Sequence, residues 1–368
     1  MKVVKLKEVA NIYDGIHETP NYKPSGVRFV SVEDIKNLYH SNKYISILDY
    51  DKLYTIKPEY NDILMTRIGD IGTPAICNKE EPLAYYVSLA LIKPININTD
   101  YLYFALQSQL FKKESYKRTI HVAFPKKINL SEIGECLIPL LENNIQTKIA
   151  TFLNLYYKKI ELQKKKIEQL ERLSFDALFA HKYDGKTYKL EQILTEVNER
   201  TIQNNQYEVI SSTKAGLYYQ KDYFNREIAS EDNTGYKILK LNQVVISPQN
   251  LWLGNINYND KIDIGIVSPS YKIFNINEGL NKTFISNLLK SKRAMYDYMI
   301  SSEQGASVVR RNLNMDLFNE IIFTIPDIQT QNHIAHQLNL IKNKINLEKQ
   351  KLEAMEKYKQ GLLQQLFI

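Results

Sequence analysis

Laid on itself at an offset of 185 residues, the sequence repeats. Residues 145–178 (IQTKIATFLNLYYKKIELQKKKIEQLERLSFDAL) align with residues 330–363 (TQNHIAHQLNLIKNKINLEKQKLEAMEKYKQGLL). Ile149-Ala150 falls on Ile334-Ala335, Leu153 on Leu338, Leu155 on Leu340, Ile160 on Ile345, Leu162 on Leu347 and Ile167 on Leu352. An Ile-Pro pair leads into each segment, Ile138-Pro139 and Ile325-Pro326. Whatever this chain folds into must accommodate the same plan twice.

Both repeated segments have the periodicity of long amphipathic helices. In the first, Ile149, Leu153, Tyr156, Ile160, Ile167 and Leu170 step by threes and fours; in the second, Ile334, Leu338, Ile341, Ile345, Leu352 and Met355 do the same. The step missing from each stripe falls on Gln163 and Glu348, one repeat position, where Leu162 and Leu347 are expected to keep the stripe apolar. The lysines, including the run Lys164 to Lys166, lie mainly off the stripe. A helix of this length spans roughly 50 Å, more than a compact domain covers alone. Two equivalent helices in one chain are therefore expected to pack on each other, antiparallel, about a pseudo-twofold axis. The alternative is that each lies on its own domain as ordinary core.

The segments between the helices form a weaker pair. VKLKEVANIYDG (4–15) resembles YKLEQILTEVNE (188–199), and alternating apolar stretches follow at Val27–Val32 and Tyr207–Ser212. NDILMTRIGDIGTPAIC (61–77) and LNQVVISPQNLWLGNIN (241–257) each read as strand, polar glycine-bearing loop, strand. A helix is predicted in each half, over 101–115 and 282–299. The expected fold is α+β: a globular domain at 1–140, a central helical repeat at 141–182, a second globular domain at 183–326 and a second helical repeat at 327–368.

With 44% hydrophobic residues the chain has ample material for real cores. No apolar run approaches the ~18 residues of a spanning helix, and the start of the chain does not read as a signal peptide, so a cytoplasmic protein is expected. Two cysteines, Cys77 and Cys136, provide neither a disulfide framework nor zinc-ligand spacing. Against 41 Asp and Glu stand 48 Lys and Arg, a net charge of +7. That excess permits an acidic partner such as nucleic acid without requiring one.

This order of elements resembles the specificity subunits of type I restriction-modification systems, along essentially the whole chain. The resemblance is carried by VKLKEVANIYDG with RFVSVEDI, by DILMTRIGDIGTPA, and by the paired Ile-Pro-to-helix regions ending in LFA (178–180) and GLLQQLFI (361–368). It implies two target recognition domains alternating with two helical repeats, in a DNA-reading subunit without catalysis of its own. The implied partners are double-stranded DNA, two methyltransferase subunits assembled around the helices, and nuclease-translocase subunits that can join them. No cofactor is then expected on this chain: S-adenosylmethionine would belong to the methyltransferase, ATP and magnesium to a nuclease subunit. Two similar but non-identical heads on a spacer predict a bipartite, asymmetric target. The second domain, with PQNLWLGN where the first has TRIGDIGT, strays further from the common pattern. A two-headed coiled-coil scaffold that binds proteins is the competing reading.

DNA recognition needs base-edge readers and phosphate anchors. Arg67, with Thr66 in the loop Thr66-Arg67-Ile68-Gly69-Asp70, is the leading reader of the first domain; the alternative is an Arg67–Asp70 pair inside a tight turn. The matching loop of the second domain offers Gln249, Asn250 and Trp252, the last equally suited to a core. Basic pairs precede both Ile-Pro sites, Lys126-Lys127 and Arg310-Arg311, and neither lies in a helical stripe. Lys112, Lys113, Lys117 and Arg118, with Tyr116 and His121 nearby, form a further candidate backbone-contacting patch, each lysine alone being as readily a solvated helix end.

Motifs for chemistry are absent from the sequence. There is no Asn/Asp-Pro-Pro-aromatic tetrapeptide and no glycine-rich loop suited to S-adenosylmethionine. Gly185-Lys186-Thr187 lacks the first glycine of a phosphate-binding loop, position 180 being Ala. His333 and His336 have no acidic or thiol companion at metal-ligand spacing.

Overall fold

The structure, a computed structural model, describes residues 2–179, 184–223, 232–304 and 311–367. It divides into two compact units: residues 1–165 with 349–368, and residues 166–348. Each unit therefore combines a globular part with one end of each of two long helices, Asn143–Phe179 and Ile328–Leu366.

The globular parts share the strand order of their largest sheet. In the first unit a four-stranded antiparallel sheet runs Ala10–Asp14, Leu89–Pro94, Ile63–Thr66, Pro74–Ile76. The second repeats that order with Leu194–Val197, Lys272–Ile276, Gln243–Ile246 and Ile256–Tyr258. In both, the first strand of the unit pairs antiparallel with the strand leading into a long helix: Val4 lies opposite Ile138, and Tyr188 opposite Phe323. Pro139 lies within its lead-in strand, opposite Val3 in a two-stranded pair whose edge tolerates proline, and Pro326 directly follows the other. The single helix predicted over 101–115 is two, Thr99–Ala105 and Gln109–Arg118; the one predicted over 282–299 is likewise two, Lys282–Leu288 and Lys292–Ile300. The break has the same cause in each. Ser108 and Ser291 cap the second helix, their hydroxyls accepting from Phe111 and Ala294 N–H at 3.2 Å.

A pair of buried glutamines ties each globular part to its long helix. Gln146 Oε1 accepts from the N–H of Asn98, itself a helix cap whose side chain accepts from Tyr101 N–H, and Gln146 Nε2 donates to Leu141 O at 2.7 Å. Gln331 repeats this with Asn281 N–H and Pro326 O, both at 2.9 Å. Gln146→Leu or Gln331→Leu leaves a part-buried N–H and a carbonyl, buried at Pro326, without partners. Each should cost about 1–3 kcal/mol in urea unfolding of the chain, and a loss below 0.5 kcal/mol would assign the clamp no energetic role.

Within the first unit the two long helices run antiparallel. Ala150 and Leu153 share a core with Leu362, Leu363 and Phe367, whereas further along Tyr156 donates to Met355 O and stacks edge-on with Tyr358. Phe367 reaches Tyr101, ring centroids 5.2 Å apart. In the second unit Ile334, Ala335 and Leu338 enter the core, and Lys166 meets Glu348 at 2.7 Å.

None of the twelve predicted seam residues is exposed, but the seam differs from expectation in one place. Leu162 and Leu347 do not keep it apolar: they are 58% and 62% exposed, while Gln163 and Glu348 are buried. The seam keeps a heptad register, in which Gln163 and Glu348 occupy inward positions and the preceding leucines point about 100° away. Buried Glu348 is compensated by Lys166 and by Lys344 at 3.0 Å. Leu155, Leu162, Leu340 and Leu347 thus form a second, outward apolar set, repeated at the offset of 185. Among the described residues no helix is long and apolar enough to cross a membrane.

Candidate nucleic-acid interface

In each unit the glycine-bearing loop after the sheet's third strand meets the basic segment ahead of the long helix. In the first, Gly69 N–H donates to Lys126 O at 2.8 Å, Ile68 bridges Lys127, and Ile128 N–H donates to Arg67 O at 3.0 Å. Gly69 and Gly72 sit at φ of +81° and +86°, the left-handed region that this sharp turn demands. A side chain at Gly72 would reach Phe111 and Ser115 of helix Gln109–Arg118, so the loop passes close to that helix. In the second unit Arg311 N–H faces Gln249 O at 3.4 Å, and the Arg311 guanidinium lies over the Trp252 ring, 5.1 Å from its centroid. Two segments separated by about sixty residues are thus joined in each unit, with the hydrogen-bond direction between Gly69 and Lys126 reversed between Gln249 and Arg311.

The leading reader is corrected. Arg67 is 6% exposed and spends its donors inside the protein. Its Nε donates to Val87 O at 2.9 Å, one terminal nitrogen to Ile128 O at 3.1 Å, and the other to both Asp14 carboxylate oxygens at 3.0 and 3.1 Å. With all three guanidinium nitrogens bonded inside the protein, Arg67 cannot present its donor fork to guanine. The pair is with Asp14, across the sheet, rather than with Asp70. Thr66 is also fully buried; its hydroxyl donates to Asp70 and accepts from Thr73 N–H, closing the turn.

The remaining candidates separate by what already holds them. Lys117 pairs with Glu114 at 3.1 Å, and Arg118 with Glu132 at 3.0 Å and Glu114 at 3.5 Å. The Glu132 hydrogen bond raises the Arg118 pKa further, and Arg118 Nε is buried without a partner. Arg118 thus braces helix Gln109–Arg118 against helix Leu130–Glu135, whereas Lys117 pairs within its own helix and stays exposed. Lys113 is exposed; Lys112, also exposed, lines a cleft of about 780 Å³ with Tyr103, Tyr157 and Glu161. His121 is exposed but packed against Tyr116, ring centroids 4.4 Å apart and the planes tilted by 52°, with a ring nitrogen 2.9 Å from Tyr116 O. Lys126 and Lys127 are exposed, and among the described residues their ammonium groups make no ion pair. In the second unit Gln249 is exposed, Asn250 half-buried and Trp252 half-buried, its indole N–H shielded with no acceptor among the described residues. Arg311 also donates to Met299 O at 3.2 Å. Arg310 lies outside the described residues.

Sequence reasoning passed over the tip of the first basic loop, where Val122 and Phe124 stand in solvent. The available signal was two apolar residues with no helical or strand period, set between His121 and Lys126-Lys127.

Residues 1–172 match the family model for the type I restriction modification DNA specificity domain. Among solved structures, the chain is similar to one from work on complex assembly and conformational transition of the type I R-M system. That match has 10% identity and a TM-score of 0.61, covering 98% of this chain and 96% of that one. It is also similar to the S subunit of a type I restriction-modification system from M. genitalium, with 16% identity and a TM-score of 0.51, covering 100% and 96%. At such identities the structural likeness establishes the fold, which in both cases extends over nearly the full length.

Proposed function

We infer that this chain, whose residues 1–172 match the family model for the type I restriction modification DNA specificity domain, is the subunit that selects the DNA site for a type I restriction-modification complex. Each globular unit reads one half of a bipartite, asymmetric target, and the long helices fix the spacing between the halves. The observation that carries this reading is the doubled interface: a glycine-bearing loop hydrogen-bonded to a basic segment in each unit, at Gly69–Lys126 and at Gln249–Arg311. Unlike loop sequences on a like framework make for unlike half-sites, since base-edge contacts rather than the framework carry sequence information. Lys126 and Lys127 serve the phosphates.

The subunit does no chemistry itself. S-adenosylmethionine resides on methyltransferase subunits, and two copies of these dock on the outward leucines, Leu155 with Leu162 and Leu340 with Leu347. Repetition of this apolar pair supports two equivalent docking sites, and an exposed apolar patch on a long helix is better accounted for by a protein partner than by solvent. Nuclease subunits, where the system has them, join this assembly.

The test is methylome sequencing in a methylation-free host that expresses the chain with its methyltransferase. A two-part asymmetric motif should appear, vanish when the chain is omitted, and change in one half only when residues 1–140 are exchanged for those of a relative. Methylation that persists without the chain, or an exchange that alters both halves, would overturn the assignment.

A further inference from the structure

Within the first interface Val122 and Phe124 are 97% and 103% exposed, more than any other large apolar side chain among the described residues; Leu48 and Ile202 follow at 78%. The two are held out on a fastened base. Ile120 N–H donates to Lys127 O at 2.8 Å, and Gly69 N–H to Lys126 O, so the loop closes on itself and on the neighbouring turn. From Val122 to Pro125 no side chain can make a hydrogen bond, and from Thr119 to Ile128 there is no carboxylate, while Lys126 and Lys127 flank the tip. Such a tip recognises by apolar contact alone, beneath a rim of negative charge. Duplex DNA has that arrangement: phosphates line a major groove about 12 Å wide, on whose floor the thymine methyl is the apolar feature. An acidic-rimmed protein pocket would match the tip less well, because the tip is joined to the loop that the interface already comprises.

We propose that Phe124, with Val122, is a specificity-determining contact to the first half-site, packing on thymine C5-methyl in the major groove while Lys126 and Lys127 hold the flanking phosphates. This rests on the DNA-reading function proposed above. The measurement uses the full chain co-expressed with its methyltransferase, and duplexes bearing the motif found by methylome sequencing. Thymines of the first half-site are replaced one at a time by uracil, which lacks the methyl group. Phe124→Ala should weaken target binding about tenfold, leave random-duplex binding and the salt slope unchanged, and abolish the penalty of one uracil replacement that the wild type suffers. Lys126→Ala with Lys127→Ala should weaken target and random duplexes alike and flatten the salt slope. Since Phe124 touches solvent, its variant should keep the wild-type Tm.

Target affinities within twofold of wild type for both Phe124→Ala and Val122→Ala would overturn the proposal. So would a loss shared equally by random DNA, a first half-site without thymine, or a Phe124→Ala variant that loses the methyltransferase instead. A wild-type complex that prefers no duplex would defeat the functional reading itself, a result distinguishable from all of these.

Discussion

Arg67→Ala should destabilise the first unit by about 2–4 kcal/mol. The Val87 and Ile128 carbonyls would lose their donors and Asp14 its bidentate partner, although Asp14, 29% exposed, would keep Gly15 N–H and His17. Arg67→Lys should recover little, because one ammonium cannot span a carboxylate and two carbonyls set in different directions. Chemical denaturation of the full chain reads this directly. A variant that keeps its stability within about 1 kcal/mol yet loses sequence preference would return Arg67 to the role of base reader.

The second large effect concerns assembly. Leu155→Lys with Leu162→Lys should remove one methyltransferase copy, and Leu340→Lys with Leu347→Lys the other. Burying two leucines is worth roughly 3–6 kcal/mol, so each pair should weaken its site by at least about 100-fold. All four leucines are exposed in the chain, so its own unfolding should be little changed. Native mass spectrometry of the purified complexes would give the stoichiometry. Two methyltransferases retained at wild-type strength in either double variant would move the docking surface elsewhere.

The architecture was legible because it is written in periodicity. Seam residues from Ile149 to Met355 announce themselves by spacing, and the duplication at 185 separates them from chance. What spacing does not reveal is where a polar residue in the register points. Gln163 and Glu348 read as gaps, yet the heptad turns them inward, and the apolar neighbours that seemed to fill the gaps turn out. The interface was legible only as a pair of segments. Arg67 follows a strand and precedes a glycine turn, which locally suggests an exposed loop residue. Its burial depends on Asp14, Val87 and Ile128, distant in sequence, so no local pattern encodes it. The clamps were within reach, since a glutamine occupies the same repeat position at 146 and 331. A polar residue retained in both copies, just after the Ile-Pro lead-in, identifies a hydrogen bond made twice.

The first unit is discontinuous in sequence, and this sets an order of events during synthesis. Leu362, Leu363 and Phe367 belong to its core, yet the ribosome must make residues 166–348, all of the second unit, before it reaches them. At the usual ~5–20 residues per second, that interval is about 10–40 s. Throughout it Tyr101, Ala150 and Leu153 present an incompletely covered apolar surface. Although most of it precedes the second unit in the sequence, the first unit is therefore the later of the two to be completed. A premature stop near residue 349 would leave the second unit whole and the first one open.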